Sequence, residues 1–144
     1  MAKSTPALAD AVKTAKVSLV AGLKASETEG TPISAKFEIE DGKLQLSVYT
    51  SKAGKFFEVV VDHETGKLTK VTPITEGEDL EHATAQADAL AKARGSLRDA
   101  VTRAEKSNVG YRAVSAVAEI EDGAATADVA LFKGSASKNV DEKL

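Results

Sequence analysis

Glu38-Ile39-Glu40-Asp41-Gly42 returns letter for letter as Glu119-Ile120-Glu121-Asp122-Gly123, and this pentapeptide decides the reading of the chain. In each copy an alternation of acidic and apolar residues runs into Asp-Gly, the dipeptide that supplies two positive-φ residues to a tight β-hairpin turn. The offset, from 39 to 120, is 81. A second echo lies upstream of each hairpin: Leu8-Ala9-Asp10-Ala11-Val12 returns as Leu97-Arg98-Asp99-Ala100-Val101, an offset from 8 to 97 of 89. Helix pattern followed by hairpin pattern, twice in the same order, predicts a duplicated unit. The two offsets differ by 8 (89 less 81), so the second copy is expected to be shorter by that much between its helix and its first strand.

Around the first Asp-Gly the apolar period is two, the period of a half-buried strand. Phe37 and Ile39 alternate with Lys36, Glu38 and Glu40; Leu44, Leu46 and Val48 alternate with Lys43, Gln45 and Ser47. A third strand, Phe57, Val59 and Val61, follows Ala53-Gly54 and stops at Asp62-His63-Glu64-Thr65-Gly66, with a short fourth from Lys67 to Thr72 closed by Pro73. One face of this meander is apolar, so a helix has to cover it. The helix is predicted upstream, with Ser4 or Thr5 as cap, Pro6 in the first turn, and a stripe of Leu8, Ala11, Val12, Ala15, Leu19 and Leu23 ending near Ser26. Residues 27–32, with Gly30 and Pro32, form a loop.

In the second half, helical spacing runs from Asp79 to about Ser107 through Leu80, Ala83, Ala87, Leu90, Leu97, Val101 and Ala104. Gly95 inside this run costs about 1 kcal/mol relative to alanine, which leaves one long helix or two helices with a bend both open. The second hairpin spans Arg112–Glu121 and Ala124–Phe132, and a weak third strand is expected around Ala136–Val140. The expected fold class is α+β: two tandem repeats, each a helix packed on an antiparallel β-meander, the first over residues 1–77, the second over 78–144 with a connector helix and an abbreviated meander. An abbreviated second half restrains fewer contacts, so Gly123→Val is expected to cost less stability than Gly42→Val.

Composition removes several functions. Lys and Arg number 19 against 22 Asp and Glu, a net charge of −3 with the bases dispersed, which argues against nucleic-acid binding. The absence of cysteine excludes thiol nucleophiles, disulfides and cysteine-held metals. The longest apolar run, Val17–Leu23, is broken by Ser18 and Gly22 and is far short of the roughly 20 residues a membrane span needs. Residues 1–6 carry no signal-peptide pattern and read equally well as the start of a mature region with an initiator Met. Gly30-Thr31 lacks the glycines and lysine of a phosphate loop, so no cofactor is expected.

Candidate chemistry is sparse. His63 lies between Asp62 and Glu64, but adjacent residues cannot converge on one ion, so a solvated turn is expected there. His82 follows Glu78, Asp79 and Glu81, acids that suit a helix start. Glu38 and Glu40 share a strand face at a spacing of roughly 7 Å, on what reads as the solvent side. Serines and threonines are many, yet two histidines on polar segments suggest no Ser-His-Asp set, and the chain is expected to be noncatalytic. The outer strand face, with Lys36, Lys43, Gln45, Tyr49 and Phe56, mixes charge and aromatic rings and is the expected partner surface.

The helix, the meander and the run Phe56-Phe57-Glu58-Val59-Val60-Val61-Asp62-His63-Glu64-Thr65-Gly66-Lys67-Leu68 together resemble the PepSY family, whose hallmark is aromatic-x-Val-x-Val-Asp-x-x-Thr-Gly-x-Leu. In the second half the matching stretch reads Ser135-Ala136-Ser137-Lys138-Asn139-Val140-Asp141-Glu142-Lys143-Leu144, without the aromatic, threonine or glycine. The resemblance therefore covers residues 5–74, and 97–144 mainly through internal similarity. It implies a noncatalytic α+β module, periplasmic or secreted, that binds a protein partner, a peptidase or envelope protein, and inhibits or regulates it. Asp62, Thr65 and Gly66 are read as turn chemistry rather than as a site. The alternative from another class is a small-ligand or metal-ion module using the cleft between the repeats, supported by the acidic turns at Asp41 and Asp62.

Overall fold

In the computed structural model, which describes residues 6–144, Asp41 and Gly42 have φ of 50° and 77°, and Asp122 and Gly123 have 51° and 80°. Both turns thus use two left-handed residues, the geometry that matches the twist of the strands they join. The elements are α1 (Pro6–Val12), α2 (Leu19–Ser26), β1 (Thr31–Glu40), β2 (Lys43–Lys52), β3 (Lys55–Val61), β4 (Leu68–Ile74), α3 (Gly77–Ala91), α4 (Leu97–Ser107), β5 (Arg112–Glu121), β6 (Ala124–Lys133) and β7 (Ala136–Lys143). The strands form one antiparallel sheet in the order β4-β3-β2-β1-β5-β6-β7, and the fold is α+β. The cap expected at Ser4 or Thr5 lies outside the described residues.

The sheet is continuous because β1 pairs with β5: Ser34 with Val117, Ala35 with Ala116, Lys36 with Ser115. β1, β2 and β3 begin at positions 31, 43 and 55; β5, β6 and β7 begin at 112, 124 and 136, the offset of the repeated pentapeptide in every case. The register shift between Pro32 and Ser34 is matched by one between Ala113 and Ser115. Ala35 therefore faces its own counterpart, Ala116. β7 is longer than the weak strand expected, reaching Lys143 and pairing along β6 from Lys133↔Ala136 to Thr126↔Lys143. That pairing revises the expected ranking of the two turn variants. The turns share φ values, and an ideal Cβ at either glycine meets nothing within 4 Å, so the penalty is backbone strain alone. Gly42→Val and Gly123→Val are each expected to lower stability by about 1–3 kcal/mol, equally within error, as read from denaturant midpoints.

The helices depart from the sequence reading in two ways. The first helix does not run unbroken to Ser26. Ser18 Oγ accepts from Ala21 N at 3.1 Å and caps α2, while Lys16 N and Val17 N donate to His63 O at 2.8 and 3.0 Å, so the link between α1 and α2 is tied to the end of β3. The apolar stripe keeps its period across the break and hides it. Likewise the run 79–107 divides at Ser96, whose Oγ accepts from Asp99 N at 3.1 Å to open α4. The helix leading into β1 is accordingly α2, opening Ser18-Leu19, and the helix leading into β5 is α4, opening Ser96-Leu97. Leu8–Val12, which echoes Leu97–Val101 of α4, lies in α1, one helix before the helix that leads into β1. From helix start to strand start the first half runs from Leu19 to Thr31 and the second from Leu97 to Arg112, so the second link is the longer of the two, not the shorter.

Alternation sorts the sheet into two faces. Ala35, Phe37, Leu46, Val48, Val59 and Val61 join Ala116, Ala127, Val129 and Leu131 in one buried core with Leu19, Leu23, Leu97 and Val101 of α2 and α4. α2 lies so close that a Cβ on Gly22 would stand 2.6 Å from Leu46 Cδ2. Arg98 Nε and Glu27 Oε2, 3.1 Å apart, join α4 to the end of α2. Arg112 donates to Val12 O, and to Ala15 O at 3.2 Å, fastening α1 to the start of β5. The opposite face is left to α3.

Candidate functional site

On that opposite face the register aligns polar residues of both halves. Ser34 stands across from Tyr49 and Val117, Lys36 across from Ser47 and Ser115, Val117 across from Asp128, and Glu119 across from Thr126. α3 crosses above them, and between helix and sheet lies a cavity of about 620 Å³. Its walls are Ser34, Lys36 and Glu38 of β1, Tyr49 of β2, Ser115, Val117 and Glu119 of β5, Asp128 of β6, and Asp79, His82 and Gln86 of α3, with Leu8 of α1 at its margin. The volume is in the range of small-ligand pockets, and the cavity straddles the β1–β5 junction.

Its electrostatics are lopsided. Lys36 Nζ lies 3.2 Å from Glu38 Oε2, so on the β1 side base and acid neutralise each other. On the β5 side Glu119 and Asp128 stand together, and Asp128 Oδ1 accepts an uncharged amide hydrogen from Asn139 Nδ2 at 3.1 Å. Burial pushes the Glu119 carboxyl up, and the neighbouring Asp128, Asp141 and Glu121 push it further. Glu121 is raised chiefly by Asp141. Carboxylate oxygens of Glu119, Glu121 and Asp141 lie within 4.8 Å of one another. In α3, Gln86 Oε1 is shielded from water and has no hydrogen-bond partner among the described residues.

Tyr49 is pushed up to about 12, first by burial and then by Glu58, Asp79, Glu38 and Glu40. The phenol ionises later in the folded protein than in the unfolded chain, where 10.0 applies, so above that pH the unfolded state releases its proton first. Stability is therefore expected to fall as pH rises from about 10 to about 12. Absorbance titration of Tyr111→Phe, in which Tyr49 is the remaining tyrosine, should give a midpoint near 12. A midpoint at 10 would show that the ring is not enclosed.

The five residues expected as a partner surface share this face, but the cavity unites only Lys36 and Tyr49. Lys43 is exposed beside the Asp41-Gly42 turn, Gln45 Nε2 donates to Ser47 Oγ at 3.0 Å, and Phe56 pairs with Ile74 at the β4 side. Glu38, read as solvated, is half-buried in the wall; Glu40 is exposed. Sequence reasoning misses Ser115, Glu119 and Asp128, and the polar positions 79, 82 and 86 of α3. The offset of the repeated pentapeptide is a usable signal for the first two, since it maps Ser34 to Ser115 and Glu38 to Glu119.

The acidic turn at Asp62 has another task. Asp62 Oδ1 accepts from Glu64 N at 2.8 Å and Thr65 N at 3.2 Å, Thr65 Oγ1 accepts from Lys67 N at 3.2 Å, and Gly66, at φ 80°, donates to Asp62 O at 2.8 Å. The amides of Glu64 and Thr65 hold the Asp62 carboxyl below its usual range. Compared with family models, curated proteins and solved structures, the chain matches none. No helix among the described residues is long and apolar enough to cross a membrane.

Proposed function

We propose that this chain is a noncatalytic, PepSY-like binding module of two tandem repeats, residues 1–77 and 78–144, that receives a segment of a protein partner in the groove between α3 and the sheet. The observation that carries this reading is the groove itself: a cavity of ligand size whose walls come from equivalent strands of both halves, Ser34 with Ser115 and Glu38 with Glu119. The repeats are supported by the common offset of strands, turns and register shifts. The hallmark run ending in Asp62, Thr65 and Gly66 supports the PepSY likeness. By that likeness the module works outside the cytoplasm and inhibits or regulates a peptidase or envelope protein.

A second reading, a small-ligand or metal-ion module, is favoured by one observation: the three carboxylates of Glu119, on the groove wall, and of Glu121 and Asp141, which line the neighbouring surface. Peptides selected from a random display library, titrated into isotope-labelled protein, test the first reading. Shifts confined to amides lining the groove, abolished by Val117→Phe, support it. Peptides that shift another surface sink it. Calorimetric titration with calcium, zinc and copper tests the second, for which one-to-one binding lost in Glu121→Gln is required.

A further inference from the structure

We infer that the group seated at the β5 side of this groove is a cation on an apolar stem, a lysine or arginine side chain of the partner polypeptide. The inference rests on the binding-groove reading and deepens it. The two halves supply the argument by their differences. Where β1 has Lys36, the equivalent position of β5 is Val117, so Glu119, the counterpart of Glu38, has lost its neutralising base. Where β2 has Ser47, β6 has Asp128. The β5 end of the cavity thus presents two carboxylates, Glu119 and Asp128, while Asp79 of α3 lies on the wall near Tyr49. Lys143, which pairs with Thr126 beside them, lies outside this cavity.

Hydrogen-bond chemistry agrees with charge. Glu119 and Asp128 are acceptors, and Gln86 Oε1 is a shielded acceptor without a donor among the described residues. Asp128 Oδ1 already accepts from Asn139 Nδ2, but two carboxylates and the Gln86 oxygen leave more acceptors than donors at the site, and an ammonium or guanidinium is donor-only. Val117, which stands across from Asp128, gives the site an apolar contact that suits a methylene stem. The Glu119 carboxyl is raised first by burial and then by Asp128, Asp141 and Glu121, and a bound cation opposes both.

The test uses the full chain and three probes: a capped Ala-Leu-Arg-Leu-Ala peptide, the same peptide with citrulline for arginine, and free spermidine. We expect the arginine peptide to shift the amides of Val117, Glu119 and Asp128, and to bind at least tenfold more tightly than the citrulline peptide. Val117→Lys rebuilds the Lys36–Glu38 arrangement on the second half and should reduce arginine-peptide binding at least tenfold. Glu119→Gln with Asp128→Asn should do the same. Neither variant should lower the thermal midpoint, because both relieve like-charge repulsion, so a loss of binding would not be a loss of fold. Equal binding of the arginine and citrulline peptides overturns the cation assignment and leaves the groove reading standing. Spermidine binding with no peptide binding overturns the polypeptide source. Silence from all three probes overturns the inference, and the library selection then decides separately whether the groove binds peptides at all.

Discussion

Phe37→Ala is expected to lower the free energy of unfolding by about 3–5 kcal/mol, the cost of removing a buried aromatic ring and leaving a cavity. Phe37 is 1% exposed, sits on a strand flanked on both sides, and faces Leu46 across the β1–β2 pair. Folded domains have about 5–15 kcal/mol of stability in all, so the variant should be partly unfolded at modest urea concentrations. Ile39→Ala, two positions along the same strand face but 38% exposed, is the control and should cost far less. Urea unfolding with an unchanged m-value checks both. Equal losses would show that Phe37 is not the anchor of the core.

Gly22→Val is the second large effect. The first atom of any side chain at residue 22 would meet Leu46 Cδ2 at 2.6 Å, and Leu46 is 0% exposed, so its side chain has to shift within the core. Overpacking of this kind costs about 1–3 kcal/mol, more than valine's slight advantage over glycine as a helix former returns. Leu46→Ala alone should cost about 2–5 kcal/mol. Together they should not add. Alanine at 46 removes the clashing methyl, so the double variant is expected to be about 0.5–3 kcal/mol more stable than the sum of the single losses implies. A double-mutant cycle in denaturant measures this directly, and strict additivity would show that α2 does not rest on Leu46.

How much of this is legible from residues alone depends on whether the deciding interaction is local. The Asp41-Gly42 and Asp122-Gly123 turns are legible because positive φ is a property of the residues themselves. So are the alternating strands on either side, and the Asp62-to-Gly66 turn. The break at Ser18 is not, because Leu19 and Leu23 continue the stripe begun by Leu8 and Val12, and a capping serine looks the same inside a helix as at its start. The β1–β5 pairing is also hidden, since it rests on three residue pairs, centred on Ala35 and Ala116, whose partners lie in different halves of the chain. The groove inherits that blindness. Lys36 and Tyr49 can be placed on the outer face by alternation, but Glu119, Asp128 and Gln86 reach them only once β5 docks on β1 and α3 crosses above.

The wiring of the sheet also sets an order in time. Every pair of neighbouring strands except β1 and β5 is consecutive along the chain, so the four-stranded and three-stranded pieces can each assemble from short turns with little loop-closure entropy. Joining Ala35 to Ala116 closes a far longer loop, and its cost rises with the logarithm of that length. Non-local closures of this kind are the slow steps of β-rich folding. The β1–β5 seam near the centre of the sheet is therefore expected to close last, joining two halves already formed.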